Sequence, residues 1–385
     1  MNRSARPLAL AALGLSCATG GHDFALMAAV AAGLGLRRPH PTMAVPDAHG
    51  CGSGPALHCP ALEEPLEDAG ERMLLLCTRA LERLLAEMPP CAPGERVAVV
   101  LMLPPEGSER GVDIPLSAWE HMLEQAHPWP EGLSIHVARA ENGSLAELAE
   151  WWASLQAGDC DRVLFGATDS LLDPATLCAL GEARLLASQA RPDGIVPGEG
   201  AVFLCLQRPE DAAAAQTLLY QPAAAPEPNH GQGSGKRLTG LARAIGEALD
   251  AASLSPGDIT CLAAASDDAL AWSLEWAQAR DAHWPWRLPE EQRLAMQQGT
   301  LENPDMPLPP NHELLEPASA IGHVGIAAPL LALALARARL AFDWPGHDAI
   351  LIVDRPEVAT RAALVVGGPE PARPHETHLQ GGNTP

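Results

Sequence analysis

Short apolar runs alternate with longer segments of helical periodicity along most of the chain, and this alternation limits the fold to the α/β classes. Before residue 208 the apolar runs predict five strands, Leu8–Leu15, Val97–Leu103, Leu133–Ala138, Arg162–Phe165 and Gly200–Gln207. The segments between them predict five helices, His22–Leu34, Gly70–Glu87, Leu116–Gln125, Ser144–Ala157 and Pro174–Ala187. Such an order of elements predicts a sheet that is covered by helices.

A change of composition divides the chain into two parts. Residues 221–236 are rich in Pro, Gly and Ala, which favours an exposed linker, and a second alternating block follows them. We therefore expect an N-terminal half over residues 1–220 and a C-terminal half over residues 237–366. The last residues, 367–385, have the composition of a disordered tail.

The charge balance excludes several classes of partner. The chain has 25 Lys+Arg against 48 Asp+Glu and a net charge of −23, so its surface would repel nucleic acids and anionic membranes. Lys236 is the only lysine, so a P-loop lysine or a Schiff base could come only from that position. Nine cysteines, an odd number in a long chain, indicate free thiols and a cytoplasmic location rather than a disulfide framework.

The N-terminal segment imitates a short secretory or lipoprotein signal, because Arg3 and Arg6 precede an apolar run and Cys17 follows it. The residues before Cys17 lack the order that lipoprotein processing prefers, and the apolar run continues into Gly20 and a helical pattern. We therefore interpret this segment as strand, turn and helix. No uninterrupted apolar stretch of about 20 residues occurs elsewhere, so no membrane-spanning helix is expected.

One cluster of metal-ligating residue types lies in a Gly- and Pro-rich segment. It comprises His49, Cys51, His58 and Cys59, and its spacing matches no standard zinc pattern because the second pair is adjacent in sequence. We therefore predict neither a metal nor a cofactor.

Three longer motifs go beyond a general α/β pattern. They are ENGSLAELAEWWASLQAGDCDRVLFGATDS at 141–170, PDGIVPGEGAVFLCL at 192–206 and IGHVGIAAPLLALALA at 321–336. Together they resemble the thiolase-like superfamily, on its β-ketoacyl synthase branch, and the turn at 198–201 followed by a strand is the most specific piece. The resemblance implies a five-layered α-β-α-β-α fold from two duplicated βαβαβαββ halves, usually assembled as a homodimer.

The resemblance also implies a nucleophilic cysteine at a sharp turn before a long helix. Counting back from the turn at 158–159 places Glu141 at that position. A carboxylate is electrostatically comfortable at a helix N-terminus, so we expect the amides of the following helix to hold Glu141. It is a poor replacement for a thiolate in thioester exchange.

Two histidines complete the family's catalytic set. Asp267 stands at the first histidine position, in a register anchored by Glu275. The second position keeps His323 after a glycine, but Ala318 stands where the family has a lysine. The family's Phe-Gly-Gly-x-Asn loop is replaced by VDRPEVATRAALVV at 353–366. A lone histidine cannot supply nucleophile, base and oxyanion donors together, so the pattern predicts a degenerate site.

These departures favour a catalytically inactive binding, scaffold or accessory protein. Similar stand-alone proteins are encoded beside type VI secretion effectors, which suggests an effector or a carrier protein as partner. An acyltransferase or decarboxylase with rearranged residues is an alternative, because some relatives act without the cysteine. A further alternative is an inactive subunit that forms a heterodimer with an active ketosynthase in fatty acid or polyketide synthesis.

Overall fold

The architecture was established from a computed structural model. It describes residues 6–46, 52–64, 66, 68–106, 108, 110, 114–212, 217–231, 236–265, 269–285, 290–300, 312–342 and 349–368. The strands are β1 (Leu8–Cys17), β2 (Arg38–Pro46), β3 (Ser53–His58), β4 (Val97–Leu103), β5 (Leu133–Arg139), β6 (Arg162–Ser170), β7 (Glu199–Gln207), β8 (Leu218–Leu219), β9 (Ala223–Pro226), β10 (Cys261–Ala264), β11 (Glu313–Leu315), β12 (Ala349–Asp354) and β13 (Thr360–Gly367). The helices are α1 (Asp23–Ala31), α2 (Ala69–Glu87), α3 (Leu116–Gln125), α4 (Ser144–Ala157), α5 (Pro174–Glu182), α6 (Gly240–Ala252), α7 (Ala269–His283), α8 (Glu290–Gln297), α9 (Pro317–Ile321) and α10 (Ala328–Ala341).

The two halves repeat one strand arrangement. In the N-terminal half the spatial order is β5-β4-β6-β7-β1, with two parallel pairs followed by two antiparallel pairs. In the C-terminal half β11, β10, β12, β13 and β9 follow the same spatial order with the same sequence of parallel and antiparallel pairs. Helix α4 precedes the fourth strand of its half, as α10 does. The duplication that the sequence motifs implied is therefore confirmed.

Three large apolar clusters fill the four interfaces between five layers of backbone, because the central cluster lies on both sides of the middle helices. Helices α2 and α3 cover one face of the N-terminal sheet, and α6 covers the outer face of the C-terminal sheet. Between the sheets, buried side chains of α1, α4 and α10 pack against the inner faces of both. Along α10, all residues from Ala328 to Ala336 are buried, as expected for a helix enclosed on every side. This is the α-β-α-β-α layering expected from the resemblance.

The N-terminal apolar run, with its signal-like flanks, forms the buried strand β1. It lies between β7 and β8, and β8 also pairs with β13, so the strands of the two halves form one continuous hydrogen-bonded path. None of the helices in the described residues is long and apolar enough to cross a membrane.

The segment expected to be an exposed linker differs from that prediction. Residues 223–226 form β9, which pairs with β13, and Ala223 and Ala225 are buried against α6. Alanine and proline are typical of linkers, but alternate small side chains also suit a short edge strand pressed against a helix. Most of the expected tail, residues 369–385, lies outside the described residues. The expected boundaries of the two halves remain a prediction.

Candidate functional site

A cavity of about 370 Å³ lies where the two halves meet. Its wall is formed by the segments that follow β4, β5, β10 and β12, by α5, and by the N-terminal ends of α4 and α10. The carboxyl ends of parallel strands and the N-termini of helices are where α/β proteins commonly bind ligands. The duplicated topology thus brings equivalent elements of both halves to one site.

A buried ion pair forms one wall of the cavity. Arg110 Nε lies 3.0 Å from Asp169 Oδ1, and both side chains are almost fully buried. The Arg110 guanidinium also donates to both carboxylate oxygens of Glu357, at 3.1 and 3.2 Å. Burial alone would lower the pKa of Arg110, but the carboxylates of Asp169 and Glu357 raise it, so the side chain remains charged.

Asp169 also fixes the turn that leads into α10. Its Oδ2 accepts a hydrogen bond from the Ile326 amide at 3.0 Å. Gly325 has φ +53°, and a Cβ added there would lie 1.8 Å from Asp169 Oδ2, so only glycine fits. Ser144, the first residue of α4, donates from Oγ to the Ile326 carbonyl at 2.6 Å. The N-terminal ends of α4 and α10 are therefore linked directly.

The segment after β12 packs against the N-terminal end of α4. Gly143 has φ +89°, and a Cβ there would lie 2.8 Å from Pro356 Cγ. Two arginines anchor this segment to α7. The Nε atoms of Arg355 and Arg361 donate to the buried carboxylate of Glu275 at 2.8 and 2.7 Å. Residues 353–366, which the resemblance assigns to the place of the family's Gly-rich loop, are thus anchored to α7 by two ion pairs.

Asp354 and His323 line the cavity from the C-terminal half. His323 is positioned by its backbone, which donates to the Val196 carbonyl at 2.7 Å and accepts from Gly198 at 2.8 Å. Asp354 is only 4 % exposed, and burial raises its pKa to about 7, although Arg361 and His323 act in the opposite direction. A carboxyl group that titrates near neutrality inside a cavity is typical of functional sites.

Glu141 is exposed and is not part of the cavity wall. Its Oε1 accepts a hydrogen bond from the Glu106 amide at 2.9 Å, across the gap between the segments after β4 and β5. This differs from the expectation that the amides of α4 would hold the carboxylate. The side chain of Glu147 instead bonds the turn, accepting from the Asn142 backbone and side-chain nitrogens at 3.3 and 3.1 Å.

The other residues expected from the sequence fall in different places. Asp267 lies outside the described residues, although nearby Ala265, just after β10, lines the cavity. Ala318 lies in α9, at the expected distance along the chain from His323. In the candidate zinc cluster, His49 and Cys51 are outside the described residues, so the grouping with His58 and Cys59 remains untested. No group of three or more metal-ligating side chains occurs among the residues described.

Sequence reasoning missed three charged residues of the site. Asp169 and Asp354 each stand near the carboxyl end of an apolar strand, a signal that could have marked them as residues facing a crevice. Arg110 lies in a polar loop with no periodic pattern, and its partner Glu357 is 247 positions away. Nothing in the local sequence of Arg110 indicates this pairing.

Comparison with known proteins agrees with this geometry. The profile of the family described as β-ketoacyl synthase, N-terminal domain, matches residues 130–212, which include Glu141, α4 and Asp169. No curated protein sequence matches the chain significantly.

Several solved structures are similar over nearly the whole chain. One is titled the ishigamide ketosynthase/chain length factor, with TM-score 0.69, 17 % identity and coverage of 95 % of this chain and 100 % of that one. Another is a type II PKS acyl-carrier protein in complex with its ketosynthase bound to the hexaketide, with TM-score 0.71, 14 % identity and coverage of 95 % and 100 %. A third is a β-ketoacyl synthase from Burkholderia phymatum STM815, with TM-score 0.67, 14 % identity and coverage of 94 % and 100 %.

At these identities the structural likeness shows the fold. The family match covers the turn at Glu141 and helix α4, which lie at the centre of that fold. Outside the matched residues, the likeness rests on the duplicated strand order of the two halves. Residues 130–212 thus match the N-terminal domain of the β-ketoacyl synthases, and the described chain has the thiolase-like fold of the ketosynthases.

Proposed function

We propose that this protein is a non-condensing member of the β-ketoacyl synthase branch. It binds a ligand in its cavity without covalent attachment and acts as an accessory to a partner protein. The observation that carries this proposal is the placement of Glu141, which the resemblance assigns to the nucleophile position: it lies outside the cavity wall and accepts a hydrogen bond from the Glu106 amide. A carboxylate so placed cannot form the thioester on which condensation depends.

The described cavity wall offers no thiol in place of the nucleophile. None of the described residues that line the cavity is a cysteine. Cys59 lies nearby in the chain segment that pairs with Gly198, but it is 1 % exposed and burial raises the pKa of its thiol to about 12. Such a thiol remains protonated near neutrality and is a weak nucleophile.

The partner we infer is a ketosynthase-like chain or a carrier protein. Among the similar structures, one title names a ketosynthase/chain length factor and another names an acyl-carrier protein in complex with its ketosynthase. A homodimer is the other form of assembly that the resemblance implies. An accessory role beside a type VI secretion effector rests on the sequence resemblance alone.

A test of the non-condensing role uses the purified full chain. We expect its mass to be unchanged after incubation with the hexanoyl thioester of N-acetylcysteamine, and no condensed product when a malonyl thioester is added. Intact-protein mass spectrometry and product analysis measure both outcomes. An acyl adduct on the unaltered protein, or a condensed product, would contradict the proposal.

Glu141→Cys provides the matched control. Because position 141 is exposed, the new thiol should take up one more iodoacetamide group than the unaltered protein, which shows that the assay detects an accessible cysteine there. We still expect no condensation, since Ala318 stands at the family's lysine position. A working ketosynthase from this single substitution would show that the remaining residues are sufficient.

The decarboxylase alternative is favoured by one observation, the presence of His323 and the buried Asp354 in the same cavity wall. Burial raises the pKa of Asp354 to about 7, so its carboxyl group could exchange a proton with a bound ligand near neutral pH. Release of carbon dioxide from a malonyl thioester, abolished by His323→Ala, would support this alternative over simple binding.

A further inference from the structure

Asp354 is the most unusual group in the cavity wall. Its side chain is almost fully buried, and its carboxyl group accepts no hydrogen bond from any residue in the described part of the chain. Its Oδ2 lies beside the start of α4, 3.5 Å from where a Cβ of Gly143 would stand. Buried polar groups in proteins are normally hydrogen-bonded, so a carboxyl group left without a donor beside a cavity indicates a place for one.

The positive charges near Asp354 are already engaged. Arg110 is bound by Asp169 and Glu357, and the carboxylate of Asp173 also acts on it electrostatically. An anionic ligand in this part of the wall would therefore have to compete with three carboxylates for one guanidinium.

The second arginine of the wall is similarly committed. Arg355 Nε lies 2.8 Å from the Glu275 carboxylate, which also pairs with Arg361 Nε at 2.7 Å, so both arginines near Asp354 are bound to the same buried carboxylate. Among the described residues in and directly behind the wall, five carboxyl groups stand against four basic side chains: Asp169, Asp173, Glu275, Asp354 and Glu357 against Arg110, Arg355, Arg361 and His323. The wall thus favours positive charge in a ligand.

The remaining lining is mainly apolar, with two hydroxyl groups that need a partner. The apolar side chains include Ala179, Leu180, Ile195, Ile326 and Val358. The buried Oγ of Ser108 and Oγ1 of Thr176 find no hydrogen-bond partner within the described residues, and both residues line the cavity. The wall therefore suits a ligand with an apolar body and a polar head.

We propose that the cavity binds an organic cation, an amine with an apolar body whose ammonium group is paired with the Asp354 carboxylate. This rests on the proposed function, since it names the class of ligand for the same cavity. An ammonium group supplies three hydrogen-bond donors and the missing positive charge. A carboxylate ligand such as a malonyl group would instead add a negative charge beside Asp354.

The test compares three ligands of one size on the unaltered full chain. Hexylamine, hexanol and hexanoate differ only in the charge and donors of the head group, and isothermal titration calorimetry measures each affinity. At slightly alkaline pH we expect hexylamine to bind at least about tenfold more tightly than hexanol, and hexanoate more weakly than either. Undetectable binding of hexylamine, or an affinity for hexanoate that equals it, would overturn the inference without requiring any variant to fold.

The substitution Asp354→Asn tests whether Asp354 is the counter-ion of the bound ammonium group. It keeps the shape of the side chain and removes its charge, so the affinity for hexylamine should fall by about tenfold or more while that for hexanol is unchanged. Glu247→Gln makes the same change of charge on the exposed face of α6 and should alter neither affinity. An unchanged affinity of Asp354→Asn for hexylamine would show that Asp354 is not the counter-ion.

The two proposals can fail separately. An acyl adduct in the mass-spectrometric assay would refute the non-condensing function whatever the amine does. Preference for hexanoate with no acyl adduct would refute the amine inference alone.

Discussion

Burial keeps the Asp354 carboxyl group protonated at pH values at which exposed aspartates are ionised. Its pKa is raised to about 7 because burial disfavours the charged form more than Arg361 and His323 favour it. The unfolded chain would release this proton near pH 4. Between these two values the folded state holds a proton that the unfolded state has lost, so the free energy of unfolding decreases as the pH rises.

Asp354→Asn should remove this dependence. The free energy of unfolding of the variant, measured relative to that of the unaltered protein, should increase by about 2 kcal/mol from about pH 5 to about pH 8. Above that range the difference should change little, because Asp354 is then ionised in both the folded and the unfolded state of the unaltered protein. Urea denaturation of both proteins across this range measures the difference. A constant difference would mean that Asp354 titrates in its ordinary range, and Glu247→Gln should show no such trend.

At single residues, sequence motifs located His323 and the turn at Glu141, because each lies within a continuous stretch with a recognisable order. The direction of the Glu141 side chain was not predictable, because its partner is the amide of Glu106 in a separate loop. The Arg110–Asp169 pair depends on three-dimensional closure between a loop and β6, which local patterns do not encode. Long-range pairs of this kind account for most of what the sequence left out of the site.

At the level of elements, β5 ends the sheet on one side. Along it Ser134, His136 and Ala138 are exposed and alternate with less exposed residues, and β4 is its one strand partner among the described residues. An edge strand with little charge can pair with a second chain. The resemblance implies a dimer, and the edge of β5 offers a strand through which two chains could pair.

We expect the protein to form a dimer through β5. Light scattering should give about twice the monomer mass of 40.4 kDa, and the double substitution Ser134→Lys with Ala138→Lys should reduce it to the monomer mass, because edge lysines oppose strand pairing. Leu314→Lys, on the exposed edge strand β11 at the opposite end, is the control and should leave the dimer intact. A monomer in concentrated solutions of the unaltered protein would count against this assembly.

Periodicity was sufficient to predict elements with long and regular patterns. The five strands predicted before residue 208 all form: β1, β4, β6 and β7 are almost entirely buried apolar runs, and β5 alternates exposed with less exposed residues. Strand β9 was missed because four residues of Ala and Pro carry no period that distinguishes a strand from a linker. Its structure is imposed by β13 and α6, which lie far along the chain.

For the whole molecule, the structure indicates one cooperative unit rather than two separable halves. The central apolar layer is shared, and β8 pairs with strands of both halves. We predict a single unfolding transition in which fluorescence and circular dichroism coincide. A fragment of residues 1–220 should expose the inner face of its sheet and bind a hydrophobic dye. A soluble, cooperatively folding fragment would show that the halves are independent.

The position of β1 has a consequence for synthesis on the ribosome. Strand β1 leaves the ribosome long before its neighbour β7, because the register joins Cys17 to Gly200 and Ala9 to Gln207. A nascent chain must therefore carry an apolar, unprotected strand until nearly 200 further residues have been added. Pairing across such separations is slow, and exposed strands are prone to aggregate. Production of this protein should accordingly depend on chaperones that shield β1, and slower translation at lower temperature should lengthen the time for which they are needed.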